Sequence, residues 1–510
     1  MSFMQKIKET LNKEFNFSIT ENGAIGYRTT GKELVDLNFL ISSLRGQREE
    51  NTAFMFAKAF YADTLNAIKW LFYAGDVRGG VGERRLFRIC LSFLAECEPQ
   101  FAKRLLPFVA EYTRWDNLWH LLDTQLRGDV VALVKAQLDS DLRGYEQNQP
   151  ISLLAKWLPS VNATSASTVR YGKLLAKELG LTQGKYRKTL AALRKHLKVI
   201  EVIMSRGDWQ SINYEAVPSR ANLIYNNAFL RNDEARRRDY LESLKKGEAK
   251  INSSVLFPHD IVHQYSSKKP DTALEEMWKS LPDYVKGEGN TLCVCDGSYS
   301  MECQVDRTHL TCKEVAIALT IYFAERSSGD FKDNFITFSD TPRLVDLSHC
   351  KSLRNKITTV KLHNECASTN IEAVFDLVLT TAVKNNMSQR DLPKNILILS
   401  DMEFNMATSS NSYGDPRTNK HTFSRLFDDL VQRYESHGYK MPRLIFWNIY
   451  SRSGTIPLTE NELGVALVSG FSPAVVKMVL STELDPYKIL LQAINAERYQ
   501  PIEDAIKDLV

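Results

Sequence analysis

The spacing of apolar residues changes near residue 286, and this change limits the possible folds more than any other feature of the sequence. Between about residues 33 and 285, apolar residues recur every three or four positions, as in Leu190, Leu193 and Leu197. This spacing is typical of amphipathic helices. After the polar segment 286–290, short apolar runs alternate with helical patterns. The sequence therefore predicts an all-α region followed by an α/β domain.

The second half contains apolar runs with the length of buried strands. They lie at 291–295, 334–339, 395–400, 443–449 and 464–469. Helical patterns separate them at 313–328, 371–387, 420–437 and 473–481. Strands that alternate with helices predict a Rossmann-like, mostly parallel sheet covered on both faces. Ligands of such sheets bind beyond the carboxyl ends of the strands.

The first half is divided into helices by short segments that contain glycine or proline. Its size and the rhythm of its helix pairs favour a helical solenoid, although no exact repeat is present. We predict a helical domain over residues 1–285, an α/β domain over 286–485 and a helical tail over 486–510 that packs back on the solenoid.

The overall charge is nearly balanced, with 65 Lys and Arg against 61 Asp and Glu. The charges are unevenly placed: residues 151–250 contain 19 basic and 9 acidic residues, whereas 291–510 contain 23 and 27. No apolar run reaches the roughly 18 residues that a spanning helix needs, and the first residues lack the apolar stretch of a secretory signal. Cys293 and Cys295 alternate with apolar residues in a strand pattern, and no zinc-type cysteine spacing occurs. These features predict a cytoplasmic protein in a reducing environment.

Five residues with oxygen side chains follow strands or precede helices in the second half. Asp296, Ser298 and Ser300 follow the first strand, Thr369 precedes the helix at 371, and Asp401 follows the strand at 395–400. Ligand sets made only of oxygen select Mg²⁺, Mn²⁺ or Ca²⁺. Because only two of the five are carboxylates, positions remain for water and for an acid from outside the set. The five residues predict an open divalent-ion site, with Mg²⁺ as the first choice.

The Asp-x-Ser-x-Ser pattern, with the later Thr and Asp in the same order, resembles the metal-ion-dependent adhesion site (MIDAS) of von Willebrand factor A domains. The resemblance implies that Ser298, Ser300 and Thr369 bind the ion through hydroxyls and that Asp296 and Asp401 act mainly through water. Tyr299 stands where the pattern often has a small residue. Two alternatives remain: these residues cap a helix and a turn, or Asp296 is a phosphatase nucleophile, although the DxD pair of that class is missing.

Segments in both halves of the chain resemble the domain-of-unknown-function 2828 family. They are 20–39, 74–87, 186–201, 214–229 and 399–404. This family is similar in architecture to the Ro ribonucleoprotein, in which a ring of HEAT-like helical pairs, the TROVE module, is closed by a von Willebrand A domain. The resemblance implies this architecture over nearly the whole chain. Ro binds small structured RNAs and the single-stranded ends of misfolded RNAs, so RNA binding is implied by analogy.

The segment 184–198 is strongly basic and contains no acid. Its Lys and Arg residues are Lys185, Arg187, Lys188, Arg194, Lys195 and Lys198. Two pairs of these cations are seven residues apart, so we expect a shared helix face. Such a face binds phosphates through counterion release and carries little sequence information. The alternative interpretation is a solvated helix face without a ligand.

The glycine-rich turn at 76–85 is a second candidate for RNA binding. Glycines before a helix free backbone N–H groups for an anion, and Arg78, Arg84 and Arg85 add positive charge. The turn lacks the GxxxxGK[ST] motif of nucleotide-binding loops, so ATP is not predicted. The alternative is a connection between helices in which the glycines permit a positive φ.

Taken as a whole, the sequence predicts a noncatalytic RNA-binding scaffold, not an enzyme, with a divalent cation in its α/β domain. The expected partners are structured or misfolded small RNA and a protein that donates a carboxylate to the ion; no membrane partner is expected. The alternative function is a metal-dependent protein–protein interaction module without a role in nucleic acid binding.

Overall fold

The computed structural model describes residues 4, 6–7, 16–265, 271–285, 290–305, 309–363, 369–404, 423–457, 465–472, 475 and 485–510. The chain divides into two compact units. The sheet unit contains the described residues of 1–66, 256–271 and 281–496. The helical unit contains residues 67–255, 272–280 and 497–510.

Within the described residues, the elements are numbered in chain order. The strands are β1 Phe17–Ile19, β2 Ile25–Tyr27, β3 Thr291–Asp296, β4 Asn334–Phe338, β5 Leu344–Asp346, β6 Asn395–Ser400, β7 Arg443–Asn448 and β8 Val465–Ser469. The α-helices are α1 Glu33–Phe39, α2 Glu49–Ala62, α3 Thr64–Gly75, α4 Arg84–Cys97, α5 Pro99–Tyr112, α6 Arg127–Glu146, α7 Leu154–Trp157, α8 Ala166–Glu178, α9 Gln183–His196, α10 Ile200–Ser205, α11 Ser219–Asn232, α12 Glu234–Lys245, α13 Pro258–Tyr265, α14 Thr272–Lys279, α15 Cys312–Arg326, α16 Leu353–His363, α17 Ile371–Lys384, α18 Phe423–Ser436, α19 Pro486–Ile494 and α20 Gln500–Ile506.

The sheet unit is built on a six-stranded sheet with the order β5-β4-β3-β6-β7-β8. All neighbours are parallel except β4 and β5. The five predicted strands are all present, and the predicted fold class, an all-α region with a mostly parallel α/β domain, is confirmed. The antiparallel edge strand β5 was not predicted because three residues give too short an alternation to recognise. The strand order reverses between β3 and β6, which opens a crevice at their carboxyl ends.

Helix α15 is apolar on all sides and is buried over almost its whole length, as far as residue 324. It contacts β3 and β6 on one side and α13 and α16 on the others. A helix without a polar face is stable only when neighbours cover it all round. Its start is closed by a capping box between Thr311 and Glu314. Three predicted helices are found as α15, α17 and α18; the fourth, at 473–481, lies outside the described residues except for residue 475.

The described part of residues 1–66 belongs to the sheet unit, whereas the predicted domain 1–285 had placed it in the helical region. Ala24, Phe39 and Leu40 are part of the hydrophobic core of the sheet. The Nδ2 of Asn448, at the end of β7, donates to the Phe39 carbonyl at 2.8 Å. Contacts between residues more than 400 positions apart leave no local pattern in the sequence. The sequence therefore predicted helices here but not the unit to which they belong.

The helical unit has the all-α composition that the sequence predicted. Neighbouring helices pack in sequence, α4 on α5 and α11 on α12. Within this unit the fully buried Arg237 lies over the rings of Tyr214, Phe229 and Tyr240, with centroid distances of 5.0–5.3 Å. Its guanidinium donates to the side-chain oxygens of Asn222 and Asn226. The arrangement of these helices as a HEAT-like solenoid or ring stays a prediction.

The predicted C-terminal tail is helical, as α19 and α20. Helix α20 packs on α5 of the helical unit, whereas α19 belongs to the sheet unit. The buried carboxylate of Asp76 accepts hydrogen bonds from Arg498, from the Tyr499 hydroxyl at 3.2 Å and from the Arg78 amide at 2.9 Å. One carboxylate therefore joins the glycine-rich turn to the end of the chain.

No helix among the described residues has both the length and the apolarity that crossing a bilayer requires. The cytoplasmic location stays a prediction.

We expect Asp76→Ala to destabilise the helical unit by about 1.5–3 kcal/mol, because Arg498, Tyr499 and the turn lose a charged acceptor together. The urea midpoint measures this effect. Asp508→Ala is the matched control, since it removes an exposed pair with Arg104 in the same tail and should cost less than about 1 kcal/mol. Equal losses in both variants would contradict the role of Asp76 as an anchor.

Candidate functional site

Asp296 is the last residue of β3 and is completely buried. Its Oδ1 accepts the Ser298 amide at 2.8 Å, and its Oδ2 accepts the Ser400 hydroxyl at 2.5 Å. Burial raises the pKa of Asp296 above its ordinary value, while these hydrogen bonds act in the opposite direction. Because Ser400 ends β6, the bond joins the two central strands at their carboxyl ends. Asp296 therefore has a structural role whether or not it also holds an ion.

Asp401 directly follows β6 and is also completely buried. Its Oδ1 accepts the Glu403 amide at 3.2 Å, but its Oδ2 receives no hydrogen bond from the described residues. A guanidinium nitrogen of Arg452 lies 3.5 Å from this oxygen. Burial and the negative charge of Asp296 raise the pKa of Asp401 well above its ordinary value. A buried carboxylate oxygen without a donor is costly, which favours a ligand at this position.

The two serines of the Asp-x-Ser-x-Ser pattern lie beside these carboxylates. The hydroxyl oxygens of Ser298 and Ser300 are 2.9 Å apart. A hydrogen bond from Ser300 lowers the pKa of Asp401, which places that hydroxyl against the second carboxylate. Tyr299, between the two serines, is 81% exposed and does not pack into the cluster. The structure thus brings four of the five predicted ion ligands together.

Thr369, the fifth predicted ligand, is buried two residues before α17. The Nδ2 of its neighbour Asn370 donates to Asp340 at 3.2 Å. Asp340 follows the carboxyl end of β4, which pairs with β3. Thr369 therefore lies at the same edge of the sheet as Asp296. The segment 364–368 before it is outside the described residues.

Arg452 is a member of this site that the sequence did not reveal. It follows β7, and its guanidinium donates to the Ser300 carbonyl at 3.0 Å and pairs with both carboxylate oxygens of Glu21. Glu21 lies in the turn between β1 and β2. Arg452 thereby supplies a positive charge beside Asp401 and holds an acid of the same chain nearby. A contact across 431 residues has no signal in the sequence.

Glu403 holds the turn between β1 and β2 against the sheet. Its buried carboxylate accepts the amides of Glu21, Arg452 and Ser453, each at 2.8 Å. The Thr20 hydroxyl donates to the Phe404 carbonyl at 2.7 Å. Since three backbone N–H groups surround the charge, Glu403 is fully satisfied and is not a candidate ligand. In the sequence, Glu403 stood out only as part of the segment 399–404, one of those that resemble the domain-of-unknown-function 2828 family.

The donor set fits a hard divalent cation. It combines hydroxyl oxygens with two carboxylates, one of which has an oxygen that accepts no hydrogen bond from the part of the chain that the structure describes. No group of three or more His, Cys, Asp or Glu side chains suited to a metal occurs in the part of the chain that the structure describes. A site here would therefore depend on serine and threonine hydroxyls and on water, which suits Mg²⁺ better than Zn²⁺.

The predicted basic face lies in the helical unit, on α9 and on the two residues that follow this helix. The side chains of Lys185, Arg187, Lys188, Lys195 and Lys198 are exposed. None of these five cations forms an ion pair with another described residue of the chain. We call these five residues the basic face.

Arg194 was predicted to share this face, but the structure places it elsewhere. Its guanidinium donates to the carbonyls of Ala155 and Leu158 at 2.8 and 2.7 Å and to the Ser160 hydroxyl at 2.9 Å. Burial lowers the pKa of Arg194. The side chain turns back onto α7 and the residues after it, where it makes all three of these hydrogen bonds. Arg194 is therefore a structural residue and not a phosphate ligand.

The glycine-rich turn mainly serves the fold. A Cβ at Gly80 would lie 1.9 Å from the Tyr73 carbonyl oxygen, so only glycine fits beside the end of α3. Arg78, Arg84 and Arg85 are exposed. Arg84 pairs with Asp116 at 3.4 Å. The turn thus presents arginines at the surface, while its glycines permit close packing.

We expect Arg194→Gln to lower the free energy of unfolding by about 1–3 kcal/mol, because two carbonyls and a hydroxyl lose their donor. Lys195→Gln removes the same charge from the next residue and should change stability by less than about 0.5 kcal/mol. Thermal melting of the two variants side by side distinguishes the roles. Equal melting temperatures would show that Arg194 does not stabilise the segment after α7.

Two family models match the chain. Residues 167–290 match the model of the family "Domain of unknown function (DUF2828)", and residues 290–500 match that of "Domain of unknown function (DUF7788)". An uncharacterized protein of Acanthamoeba polyphaga mimivirus is 28% identical over an alignment 528 positions long, which covers 96% of this chain and 89% of that protein. A solved structure, the Ro (RSR) protein of Deinococcus radiodurans, is 13% identical, with a TM-score of 0.45, and the match covers 88% of this chain and 94% of that one. The DUF2828 resemblance predicted from the sequence is thus confirmed over residues 167–290, a shorter range than predicted, and the α/β part of the chain matches DUF7788.

Proposed function

We propose that this chain is a noncatalytic RNA-binding scaffold whose α/β domain carries a divalent-ion site. The observation that carries the RNA part is the basic face: five exposed cations on and beside one helix, with no acid in the segment 184–198. Exposed Lys and Arg side chains in folded proteins usually occur among acids, as they do on α12, where Arg238 pairs with Glu234 and Lys245 with Glu242. The contrast between the two helices favours a polyanion as the ligand of α9.

The sequence around the basic face is also poor in acids. Residues 151–200 contain ten Lys and Arg and a single acid, Glu178. Cations within a Debye length of about 8 Å add to the field that a phosphate backbone meets. Each phosphate contact releases condensed counterions, so affinity arises without base recognition. A scaffold that accepts many RNAs requires binding of this kind. The resemblance of the sequence to a family similar in architecture to the Ro ribonucleoprotein makes RNA the preferred polyanion.

The ion part of the proposal rests on the Asp401 Oδ2, which accepts no hydrogen bond from the described residues. Ser298, Ser300 and Thr369 would contribute hydroxyl oxygens, and Asp296 and Asp401 negative charge and water-mediated contacts. A bound divalent cation would supply a Lewis-acidic position for an outside carboxylate. In its absence Arg452, 3.5 Å from Asp401, provides the compensating charge.

A second function is favoured by the same carboxylate. A protein partner with an exposed Asp or Glu could complete the coordination of the ion. The chain would then be a metal-dependent protein interaction module. Glu21, held beside the cluster by Arg452, shows that an acid can reach this edge of the sheet. RNA binding and ion-dependent protein binding use different units of the chain, so each has its own test.

Replacing Lys185, Arg187, Lys188 and Lys195 with Gln should weaken RNA binding and leave the fold intact, because none of these side chains is buried. The slope of log affinity against log salt should fall by about 0.7–0.9 for each RNA phosphate that the variant no longer binds. Fluorescence anisotropy with a structured small RNA, measured over a series of salt concentrations, gives both quantities. Arg194 stays unchanged because it stabilises the fold.

The matched control removes four cations from the same unit, all of which pair with acids: Lys103, Arg170, Arg238 and Lys245 to Gln. It lowers the net charge equally and should keep most of the affinity. If both quadruple variants bind RNA as the unmodified chain does, the basic face is not the binding surface. If both lose affinity equally, net charge rather than this face is responsible.

Millimolar Mg²⁺ or Mn²⁺ should raise the melting temperature of the full chain. Binding to the folded state alone stabilises it by about 2.7 kcal/mol when the ion is at a hundredfold its dissociation constant. Asp401→Asn should abolish this response without lowering the melting temperature in chelator, because it removes a buried charge whose Oδ2 accepts no hydrogen bond from the described residues. Asp296→Ala is a poorer test, since it also deletes the acceptor for Ser298 and Ser400.

Asp391→Asn is the control for the ion, because Asp391 is an exposed acid of the same unit that accepts from Ser388. It should keep the full response to Mg²⁺. An unmodified chain whose melting is identical in chelator, Mg²⁺, Mn²⁺ and Ca²⁺ would remove the ion from the proposed function. The RNA part would remain, because its measurement needs no divalent cation.

A further inference from the structure

Three arginines of the helical unit share a single carboxylate. Arg114 donates to Asp116 through Nε at 2.8 Å and through a second guanidinium nitrogen. A nitrogen of Arg88 lies 3.0 Å from the Asp116 Oδ2, and a nitrogen of Arg84 lies 3.4 Å from the same oxygen. One carboxylate cannot neutralise three cations. We call Arg84, Arg88 and Arg114 the arginine cluster.

Surrounding groups hold the arginine cluster in position. The Arg114 guanidinium stacks on the Trp157 ring, 3.9 Å from its centroid. The indole nitrogen of Trp119 donates to the Trp157 carbonyl at 3.1 Å, which orients that segment. The Arg88 Nε donates to the Asn117 Oδ1 at 2.7 Å. The guanidinium planes are thus oriented before any ligand binds, which reduces the entropy lost on binding.

Asn117 supplies a second, independent sign of a ligand. Its side chain is completely buried, and its Nδ2 donates to no described residue. A buried amide that lacks an acceptor is rare and costly. The Oδ1 of the same side chain accepts a hydrogen bond from Arg88. The Nδ2 of Asn117 therefore also lies beside the arginine cluster. An anion bound there would give the amide a hydrogen-bond acceptor.

The local charge is strongly positive. Burial, together with the charges of Arg114, Arg88 and Arg220, lowers the pKa of Arg84 to about 10, although Asp116 acts in the opposite direction. At neutral pH the Arg84 guanidinium still carries its charge. Burial and the charge of Arg88 lower the pKa of His120 to about 4, so this imidazole is neutral and adds no charge. The three cluster arginines and Asp116 leave two positive charges uncompensated.

We propose that the arginine cluster binds a phosphate monoester, specifically the terminal phosphate of an RNA strand. The phosphate part stands on the cluster itself; RNA as its source rests on the proposed function. Guanidinium forks bind phosphate oxygens in pairs. A monoester carries a charge of about −1.5 to −2 at neutral pH, which matches the two uncompensated charges. An internal phosphodiester carries a single charge and leaves one arginine unpaired.

The cluster is accessible to such a ligand. The side chains of Arg84, Arg88 and Arg114 are 47%, 39% and 28% exposed. The Asp116 side chain is 19% exposed. The three arginine side chains are therefore more exposed than the carboxylate that they share. A purely structural cluster would bury its charges or provide one acid for each of them.

The first experiment uses the full chain and inorganic phosphate. Millimolar phosphate should raise the melting temperature relative to chloride at equal ionic strength. Arg84→Gln should abolish the rise, and this variant should fold because Arg84 forms the longest of the three pairs and is the most exposed. Arg238→Gln, which removes an exposed cation paired with Glu234 in the same unit, should keep the rise. A chain that melts equally in phosphate and chloride would overturn the proposed site.

Asp116→Asn provides a measurement that a structural role would not give. Without the carboxylate the three guanidinium groups repel one another, so the variant should melt lower than the unmodified chain in chloride. Phosphate should restore the melting temperature, because it supplies the missing negative charge. A decrease that phosphate does not reverse would show that the cluster serves only to hold Asp116.

The RNA source is tested with three forms of one oligonucleotide: with a 5′-phosphate, with a 3′-phosphate, and with hydroxyls at both ends. One phosphorylated form should bind about tenfold more tightly than the hydroxyl form, and Arg84→Gln should remove the difference. Equal binding of all three would overturn the terminal-phosphate site but leave the proposed RNA function standing. If no form binds while inorganic phosphate still stabilises the chain, the site stands and the RNA function fails.

Discussion

The reversal of strand order between β3 and β6 is the constraint on which the sheet unit depends. At this point the two chain connections leave in opposite directions, so the carboxyl ends of the central strands face an open crevice. Asp296 and Asp401 lie there because Asp296 ends β3 and Asp401 follows β6, the two strands that flank the reversal. The bond from Ser400 to Asp296 closes the base of the crevice. The same geometry that permits a ligand site forces two carboxylates into a buried position, where their charges must be compensated.

Polar and charged groups from parts of the chain that are distant in sequence compensate these buried charges. Glu403 accepts hydrogen bonds from three backbone amides, and Asp296 accepts hydrogen bonds from one amide and one hydroxyl. Asp401 alone keeps an oxygen without a donor among the described residues, with Arg452 as its nearest cation. Because Arg452 also pairs with Glu21, the turn between β1 and β2 is tied to the edge of the sheet. Compensation of these charges therefore explains both the candidate ion site and the position of the N-terminal segment.

Arginine has three distinct uses in the helical unit, and they separate structure from binding. Arg194 donates to carbonyls and stabilises the fold, and Arg237 is buried among aromatic rings with amide partners. The arginine cluster keeps its guanidinium groups partly exposed beside a single carboxylate. Lysines dominate the basic face, where their long flexible side chains extend into solvent. Planar guanidinium groups serve where several hydrogen bonds must be made at fixed angles, whereas lysine serves as a mobile point charge.

The sequence by itself determined the elements that depend on local pattern. These are the helices of the first half, five of the six strands of the sheet and the order of Asp296, Ser298, Ser300, Thr369 and Asp401 along it, because periodicity and position after a strand are properties of neighbouring residues. The tertiary structure alone decided which unit the described part of residues 1–66 joins, that Arg194 faces inward, and that Arg452 and Asp116 complete charged clusters. Each of these depends on contacts between residues far apart in sequence. Such contacts are chosen by packing and by the need to satisfy buried polar groups, and neither leaves a period or a motif in the chain.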